Sequence, residues 1–265
     1  MSLRVWVEGI GLLGPGLSSW AASLEVLRGV RRCAPSPTVL PPPARLPPAE
    51  RRRAGAAVKL ALAVADEAVA QAQVDPALLP TVFTSSSGEG VNCHALCEAL
   101  ATPAPMVSPT RFTNSVHNAA AGCWHIAVGS RAASTSLCAF DASFGAGLIE
   151  AATSVALSRA PMLLVASDSP YPEPLHATRP LPDHFGVALL LAPTATPRSI
   201  AALTMALVDA DQPPTRCDDV GLEALRRAIP AAAALPLLVA LARRGPRQHV
   251  LLGELDRIRL QVDIA

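Results

Sequence analysis

Apolar residues recur along this chain with two alternating periods, which indicates that strands and helices follow one another. Short apolar or alternating runs are typical of strands, whereas apolar residues three and four positions apart are typical of amphipathic helices. The pattern predicts strands over residues 3–7, 79–84, 134–140, 162–166, 185–191, 200–208, 249–252 and 255–264. It predicts helices over residues 18–28, 50–73, 91–100, 115–128, 142–157, 220–229 and 231–243.

The order of these elements favours an α/β fold with a layered, mixed sheet. Strands that are separated by helices are joined by crossovers, which place the helices over the faces of the sheet. The strands at 185–191 and 200–208 follow each other without a helix, so we expect them to pair as a hairpin. Seven prolines between Cys33 and Glu50 predict a surface loop, and a second loop is expected over residues 102–113.

The first strand is followed by a run of glycines, which predicts a turn into the first helix. Gly9, Gly11 and Gly14 have the spacing of a dinucleotide-binding fingerprint. In that motif the third glycine lies inside a helix, whereas here Pro15 and Gly16 follow it. No acidic residue closes a second strand about 20 residues further on. A nucleotide site is therefore not expected.

Composition narrows the class of protein further. Of the 265 residues 51% are hydrophobic and 16% are charged, and the net charge is only +1, so a folded core is expected and nucleic acid is a poor candidate partner. The longest apolar run, over residues 231–242, is interrupted by Pro236 and is shorter than the roughly 20 residues that a membrane span needs. The N-terminus has no signal-peptide core. We expect a cytoplasmic protein with free thiols.

Several possible sites are better explained by structure than by chemistry. Cys93, His94 and Cys97 offer soft ligands at helical spacing, but structural zinc needs four ligands, so packed thiols are expected. Residues 85–87 are three serines outside a nucleophile-elbow pattern, and we interpret them as a turn. The other histidines are scattered along the chain and have no nucleophile nearby in sequence: His117, His125, His176, His184 and His249. No metal and no cofactor is expected.

Asp141 is the most informative single residue, because it lies between a predicted buried strand and an apolar helix. A helix N-terminus stabilises an anion at that position. Aspartate is also a preferred N-cap, and capping alone would explain its presence. From the residues alone we favour the cap.

The order of short motifs resembles that of the β-ketoacyl-acyl carrier protein synthases. Val5-x-Val7-x-Gly9-x-Gly11 is followed by Trp20 and Leu27-Arg-Gly29. Ser108-Pro109, Asn118-x-x-Ala121-Gly122 and Gly129 come next, and the resemblance extends to about Pro193. Each motif is weak by itself, but their order and spacing together are specific.

The resemblance implies half of a thiolase fold. It predicts a five-stranded mixed sheet with helices, and C-terminal helices and strands as an extension over residues 210–265 of a single domain spanning residues 1–265. The family's second half, which carries two catalytic histidines, has no counterpart here, and His176 and His184 do not match them. Counting from Asn118 puts the family's cysteine nucleophile at Asp141. Cys138 is expected on the opposite face of the strand.

The resemblance also implies a function. Chain-length factors are silenced members that dimerise with an active ketosynthase and help to shape its acyl tunnel, and this chain looks most like the truncated ones of aryl polyene pathways. The implied partners are an active ketosynthase and, as a further candidate, an acyl carrier protein. The resemblance implies that Thr110, Arg111 and Phe112 gate the tunnel and so limit the length of the acyl chain. The implied dimer interface consists of Ser134, Ser136, Leu137, Cys138 and Phe140.

Three alternatives remain open at this point. Asp141 could run thioester hydrolysis or decarboxylation, which would need a base and oxyanion donors around it. The chain could instead be a scaffold that holds acyl carrier proteins. Within the gating loop, Arg111 could simply pair with a surface carboxylate while Phe112 fills the core.

Overall fold

An eight-stranded mixed sheet organises the computed structural model, which describes residues 3–243, 245, 247–255 and 257–265. The strands are β1 (Leu3–Leu13), β2 (Thr81–Thr84), β3 (Ser134–Leu137), β4 (Met162–Asp168), β5 (Phe185–Ala192), β6 (Ala201–Asp209), β7 (Gln248–Leu255) and β8 (Ile258–Ile264). Their order across the sheet is β3-β2-β4-β5-β1-β6-β8-β7. β2 runs parallel to β3 and β4, and every other neighbouring pair is antiparallel.

Helices cover both faces of this sheet. They are α1 (Trp20–Leu27), α2 (Pro48–Arg53), α3 (Ala56–Ala72), α4 (Gly90–Leu100), α5 (Pro109–Asn114), α6 (Ala119–Val128), α7 (Ser143–Ser158), α8 (Leu175–Thr178), α9 (Val220–Ala228) and α10 (Leu235–Arg243). Short 3₁₀ turns lie at Pro76–Leu78, Phe140–Ala142 and Pro230–Ala234. α3 and α6 form one apolar core against the sheet, while α1, α7 and α10 form the other. The predicted layered α/β architecture is confirmed.

The sheet is larger than the five strands predicted from sequence. β3, β2, β4, β5 and β1 make up the five-stranded part, and β6, β8 and β7 continue it beyond β1. The predicted hairpin is wrong, because β5 and β6 both pair with β1, one on each side of it. The link over residues 193–200 crosses about 10 Å, two strand spacings, which a tight hairpin turn could not do.

The glycines after the first predicted strand belong to that strand. β1 extends to Leu13, and its glycine side faces α3. A Cβ atom at Gly11 would lie 1.9 Å from the Val64 carbonyl oxygen, and one at Gly9 would lie 2.1 Å from the Ala68 carbonyl oxygen. The glycines therefore allow the backbone of α3 to contact β1. The predicted glycine turn is wrong, because these residues belong to the strand.

Several predicted boundaries shift for local reasons. The predicted helix over 50–73 is divided into α2 and α3 by an extended residue, Ala54, and by Gly55 at the start of α3. The predicted loop over 102–113 contains most of α5, and the helix predicted to begin at 115 begins at Ala119. The predicted strand over 134–140 ends at Leu137. β8 begins at Ile258, and residue 256 of its predicted span lies outside the described residues.

Candidate functional site

Asp141 lies in a tight connection between the edge strand and a long helix. β3 ends at Leu137, the 3₁₀ turn Phe140–Ala142 follows, and α7 begins at Ser143. Phe140 has a backbone φ of +53°, a left-handed conformation that costs a bulky residue of the order of 1–2 kcal/mol. Because the strand does not reach Cys138, strand alternation does not place that thiol opposite Asp141. Cys138 is exposed, and its Sγ lies 4.0 Å from the Ser86 carbonyl oxygen.

Ser143 stabilises this connection, and Asp141 does not cap the helix. The Ser143 hydroxyl donates to the Phe140 carbonyl at 2.6 Å and accepts from the Ala139 amide at 3.0 Å. The Ser143 carbonyl in turn accepts from the Thr84 hydroxyl at 2.8 Å. No side chain caps the first turn of α7. The expected N-cap role of Asp141 is therefore wrong, because Ala142 holds the N-cap position and the Asp141 carboxylate bonds to Arg179 instead.

Arg179 is the partner of Asp141. The guanidinium donates to Asp141 Oδ1 and, at 2.8 Å, to the Ser86 hydroxyl. It also lies over the Phe140 ring, 3.8 Å from the ring centroid, and 3.4 Å from the Tyr171 hydroxyl. The Asp141 side chain is 67% exposed and that of Arg179 is 25% exposed. The pair thus places a cation from the segment between β4 and β5 on the Asp141 carboxylate.

A cleft of about 380 Å³ opens beside this ion pair. Its other wall comes from the C-terminal part of the chain. Residues 226–230, which run from the end of α9 into the last 3₁₀ turn, and residues 251–253 of β7 form this wall. Arg226 lines the cleft and binds Glu223 through two contacts of 2.7 Å, which hold the pKa of Glu223 at about 2. Among the described residues, neither histidine nor cysteine lines this cleft. Arginine cannot serve as a base, so the only carboxylate that lines this cleft among the described residues, Asp141, is already paired with a cation.

The three serines at 85–87 form a turn around a buried aspartate. Asp168, 1% exposed at the end of β4, accepts at Oδ1 from the amides of Ser86 and Ser87 at 2.7 and 2.9 Å. The hydroxyls of Ser85 and Ser87 donate to the same oxygen at 3.1 and 3.2 Å. Its Oδ2 accepts from the Ala231 amide at 2.9 Å. Asp168 therefore ties the serine turn to the C-terminal 3₁₀ turn and supports Ser86, which contacts Arg179.

The cysteine and histidine cluster on α4 faces a second cleft. Cys93, His94 and Cys97 line an apolar cleft of about 380 Å³ together with His117 and Tyr171. Cys93 and Cys97 are exposed, so they are not the packed thiols that the sequence predicted. In the described part of the chain, no group of three or more metal-ligating side chains could hold a metal ion. The buried cysteines are Cys33, Cys123 and Cys217.

The remaining histidines make separate contacts. His117 Nε2 lies 3.1 Å from the Ser85 carbonyl, and His125 Nε2 lies 3.1 Å from the Thr81 hydroxyl. His184 Nδ1 lies 3.0 Å from the Ser169 hydroxyl, and burial lowers the pKa of His184. In the described contacts, none of these rings bonds to Asp141.

The candidate gating residues lie on α5, a short helix in place of the expected loop. Ser108 caps it by accepting from the Arg111 amide. Phe112 is 65% exposed, so it does not fill the core. Among the described ion pairs there is none for Arg111, which is also exposed. Both alternatives, a surface ion pair for Arg111 and a core position for Phe112, are therefore wrong. Thr110 is half-buried.

The predicted interface residues lie at one edge of the sheet. β3 pairs only with β2 among the described strands. Thr81 N donates to Ala133 O, and Ser85 N donates to Leu137 O, which fixes the parallel register. In such a ladder, residues 133, 135 and 137 bond to β2, and the backbone amides of Ser134 and Ser136 point away from it. A free edge of the sheet is thus available at this strand.

Arg179 and Asp168 were missed by the sequence analysis. A polar residue closing an otherwise apolar strand was a usable signal for Asp168. Arg179 lies in a proline-rich loop without periodicity, 38 positions from Asp141, so only the folded chain brings the two together.

The family model for "Beta-ketoacyl synthase, N-terminal domain" matches residues 26–235. The chain belongs to this β-ketoacyl synthase family. The matched residues include Asp141, Arg179 and four strands of the five-stranded part of the sheet, namely β2, β3, β4 and β5. The resemblance drawn from the sequence motifs is confirmed.

Solved structures of the ketosynthase family share the fold over nearly the whole chain. A chain of the complex between the ketosynthase ApeO and its chain length factor ApeC from Xenorhabdus doucetiae matches with a TM-score of 0.74 and 22% identity, covering 98% of this chain and 99% of that chain. The ishigamide ketosynthase/chain length factor matches with a TM-score of 0.71 and 16% identity, covering 99% of each chain.

A third solved structure with the same fold comes from a complex that includes an acyl carrier protein. A chain of AntDE:AntF, a type II polyketide synthase acyl-carrier protein in complex with its ketosynthase, has a TM-score of 0.74 and 12% identity, with 99% of each chain covered. These matches establish the thiolase-like ketosynthase fold. Among curated proteins there was no match. In the described part of the chain, no helix has the length and apolar character needed to cross a bilayer.

Proposed function

We propose that this chain is a noncatalytic, ketosynthase-like chain length factor. It would form a heterodimer with an active β-ketoacyl-acyl carrier protein synthase and help to shape that enzyme's acyl tunnel, in polyene, polyketide or fatty-acid-like biosynthesis. The observation that carries the proposal is the free edge of β3, together with the exposed apolar side chains in the part of the chain before and after this strand. Eight of the fifteen large apolar side chains that are exposed in the described part lie between Val91 and Phe140. Exposed apolar side chains are buried when a partner covers them, so this part of the chain is the one we propose for the interface.

The nucleophile position supports a subunit without catalysis of its own. Acyl transfer needs a nucleophile activated by a base, and Asp141 is instead paired with Arg179. A carboxylate held by arginine is a poor nucleophile, and no histidine lines its cleft among the described residues. Hydrolysis or decarboxylation through Asp141 therefore lacks the groups it would require.

Assembly is tested with an active β-ketoacyl-acyl carrier protein synthase from the same organism. The two proteins are co-expressed, with a tag on the ketosynthase only, and the complex is analysed by size-exclusion chromatography with light scattering. We expect a one-to-one heterodimer that converts an acyl carrier protein-bound starter into product, and little product from the ketosynthase alone. A stable monomer that ignores the ketosynthase would contradict the proposal.

Catalysis by the isolated chain is tested separately. Acyl and malonyl thioesters are incubated with the purified chain, and free thiol is followed with a chromogenic disulfide. We expect no release beyond the signal of the protein without thioester, to which the exposed thiols of Cys93, Cys97 and Cys138 contribute, and the rate without protein. Thiol release that the Asp141→Asn variant abolishes would instead favour the enzyme alternative.

Chain length would be set at α5. Phe112 and Arg111 are exposed on α5 and Thr110 is half-buried, so the first two side chains are free to reach a partner's tunnel. A growing chain would have to displace an aromatic ring or approach a guanidinium, and about 1.4 kcal/mol between release and extension changes the product ratio tenfold.

The gating role is tested by product size. Phe112→Ala and Arg111→Ala are compared with Leu157→Ala, which removes an exposed side chain at the far end of α7. Mass spectrometry of products from the reconstituted complex should show longer chains for a gating variant and unchanged lengths for the control. Unchanged lengths from both α5 variants, with assembly intact, would exclude this helix from length control.

An acyl carrier protein is the further partner that we propose. It would deliver substrate to the ketosynthase subunit of the complex, as the acyl carrier protein named in the AntDE:AntF complex is bound to its ketosynthase. If the chain were only a carrier-protein scaffold, it would bind the carrier protein in the absence of the ketosynthase. Pull-down with the isolated chain distinguishes the two roles.

A further inference from the structure

Phe140 has an unusual combination of backbone strain and exposure. Three residues other than glycine have a positive φ in the described part, namely Gln73, Phe140 and Arg159. Gln73 and Arg159 end α3 and α7, where a left-handed residue is a common helix stop. Phe140 instead lies before a helix, and it is 60% exposed. Neither helix termination nor core packing explains its conformation.

Arg179 fixes the Phe140 ring in place. The guanidinium is 3.8 Å from the ring centroid and is itself bonded to Ser86 and Asp141. Tyr171 contacts the same guanidinium through its hydroxyl at 3.4 Å. Since arginine covers one face of the ring and most of Phe140 is still accessible, the accessible part is the opposite face and the ring edge. Arg179 therefore restrains the Phe140 ring and leaves its opposite face accessible to a partner.

The position of the ring places it at the proposed interface. Phe140 follows the end of β3 by three residues, next to the free edge formed by the amides of Ser134 and Ser136. Strained residues persist where surrounding contacts hold them and where function uses them. An aromatic side chain that is already ordered loses little entropy when it is buried by a partner.

We propose that Arg179 is a positioning residue that holds Phe140 as a preformed anchor for the ketosynthase subunit. The Phe140 ring inserts into an apolar pocket of that subunit beside the paired edge strands, and Arg179 acts only through Phe140. Buried aromatic anchors near the centre of an interface commonly carry a large share of the binding energy. The inference rests on the proposed function, because it takes the ketosynthase as the occupant.

Substitutions at Phe140 separate strain from binding. Glycine adopts a positive φ without steric cost, so Phe140→Gly should unfold at the same temperature as the wild type or a higher one. Its affinity for the ketosynthase, measured by calorimetry, should fall at least tenfold. Phe140→Trp should bind within about threefold of the wild type, and the control Leu157→Ala should bind unchanged. Phe140→Ala provides the same measurement if the glycine variant does not fold.

A double-mutant cycle tests the role of Arg179. Arg179→Ala should weaken ketosynthase binding about fivefold in the wild-type background and cause no further loss in the Phe140→Gly background. Arg179→Lys should restore part of the affinity, since lysine keeps the cation over the ring but not the planar fork. A merely structural arginine would lower the melting temperature and leave affinity unchanged, or reduce affinity equally in both backgrounds, and either result would overturn the proposal.

The two proposals fail in different ways. If the wild-type chain does not bind the ketosynthase, the proposed function falls and the anchor falls with it. If the wild type binds and Phe140→Gly and Phe140→Ala bind equally well, the heterodimer stands and the anchor is rejected.

Discussion

At the scale of single residues, two aspartates illustrate how burial decides what a carboxylate contributes. Asp141 is exposed and has one cation as partner, and exposed ion pairs stabilise a protein by about 0–1 kcal/mol. Asp168 is buried and accepts from five donors. Removing a buried acceptor leaves its donors without partners, and each costs about 1–3 kcal/mol.

We therefore expect very different losses of unfolding free energy at the two positions. Asp141→Ala should cost less than about 1 kcal/mol and Asp168→Ala roughly 3 kcal/mol or more. Asp168→Asn can keep the four bonds at Oδ1 and loses the one from Ala231, so its cost should fall between the two. Urea denaturation measures all three variants. Equal losses for Asp141→Ala and Asp168→Ala would refute this account.

Glu89 provides a pH-dependent test at the same scale. It is 8% exposed, and its Oε1 accepts from Asn92 at 2.9 Å. Burial raises the pKa of Glu89 above its usual value, and the bond from Asn92 only partly offsets this. The native carboxyl thus holds its proton to a higher pH than the unfolded one. Its favourable contribution is complete below the unfolded pKa and is lost as pH rises through the native pKa.

Glu89→Gln should consequently be more stable than the wild type at pH 7. The amide keeps an oxygen acceptor for Asn92 and carries no buried charge. The difference in unfolding free energy should shrink as the pH falls through the native pKa of Glu89, because the wild-type carboxyl then takes up a proton. Denaturation curves at several pH values give this profile, and a variant that is less stable at pH 7 would contradict it.

At the scale of elements, the register of β3 determines which backbone groups are free for a partner. The amide of Ser136 points away from β2, whereas Leu137 bonds to it. Proline is tolerated in an edge strand where the missing N–H faces outwards. Ser136→Pro should therefore leave the isolated chain folded and abolish heterodimer formation.

Leu137→Pro is the matched control for this prediction. It removes a bond inside the sheet, so it should lower the melting temperature of the isolated chain. Circular dichroism and size-exclusion chromatography distinguish the two variants. A heterodimer that forms normally with Ser136→Pro would show that β3 does not pair across the interface.

At the scale of the whole molecule, the C-terminal residues continue the sheet and complete a core. β8 pairs with β6, and buried side chains of α10 fill the core on the side of α7: Leu235, Leu237, Leu238 and Leu241. We predict that residues 1–265 form one domain, with residues 210–265 as an extension that cannot be removed. The chain should unfold in one calorimetric transition.

Cutting the chain tests this prediction. A protease site inserted between Asp211 and Gln212, which are exposed, should give two fragments that stay associated and melt together. Residues 1–209 expressed alone should aggregate, because the apolar core facing α10 would be open to water. A soluble 1–209 fragment with the melting temperature of the whole chain would contradict the prediction.

The sequence by itself determined the kinds of elements, their order and the family. Local periodicity and short motifs carry that information, because each depends on residues close together in the chain. It also placed Asp141 in the connection between a strand and a long helix. It did not determine strand neighbours, since pairing depends on which edges meet in space, and β1 came to separate β5 from β6.

Tertiary structure alone decided what surrounds each candidate residue. Gly9 and Gly11 look like a turn in sequence, but they belong to β1, where the absence of a side chain makes room for α3. Asp141 looks like a helix cap, but a 3₁₀ turn and Arg179, 38 positions away, give it an ion pair instead. From the sequence, Phe112 and Phe140 would both be expected in the core, because they are apolar. Only the folded structure shows that both side chains are exposed. Contacts between distant segments depend on the folded geometry of the whole chain, which no local pattern encodes.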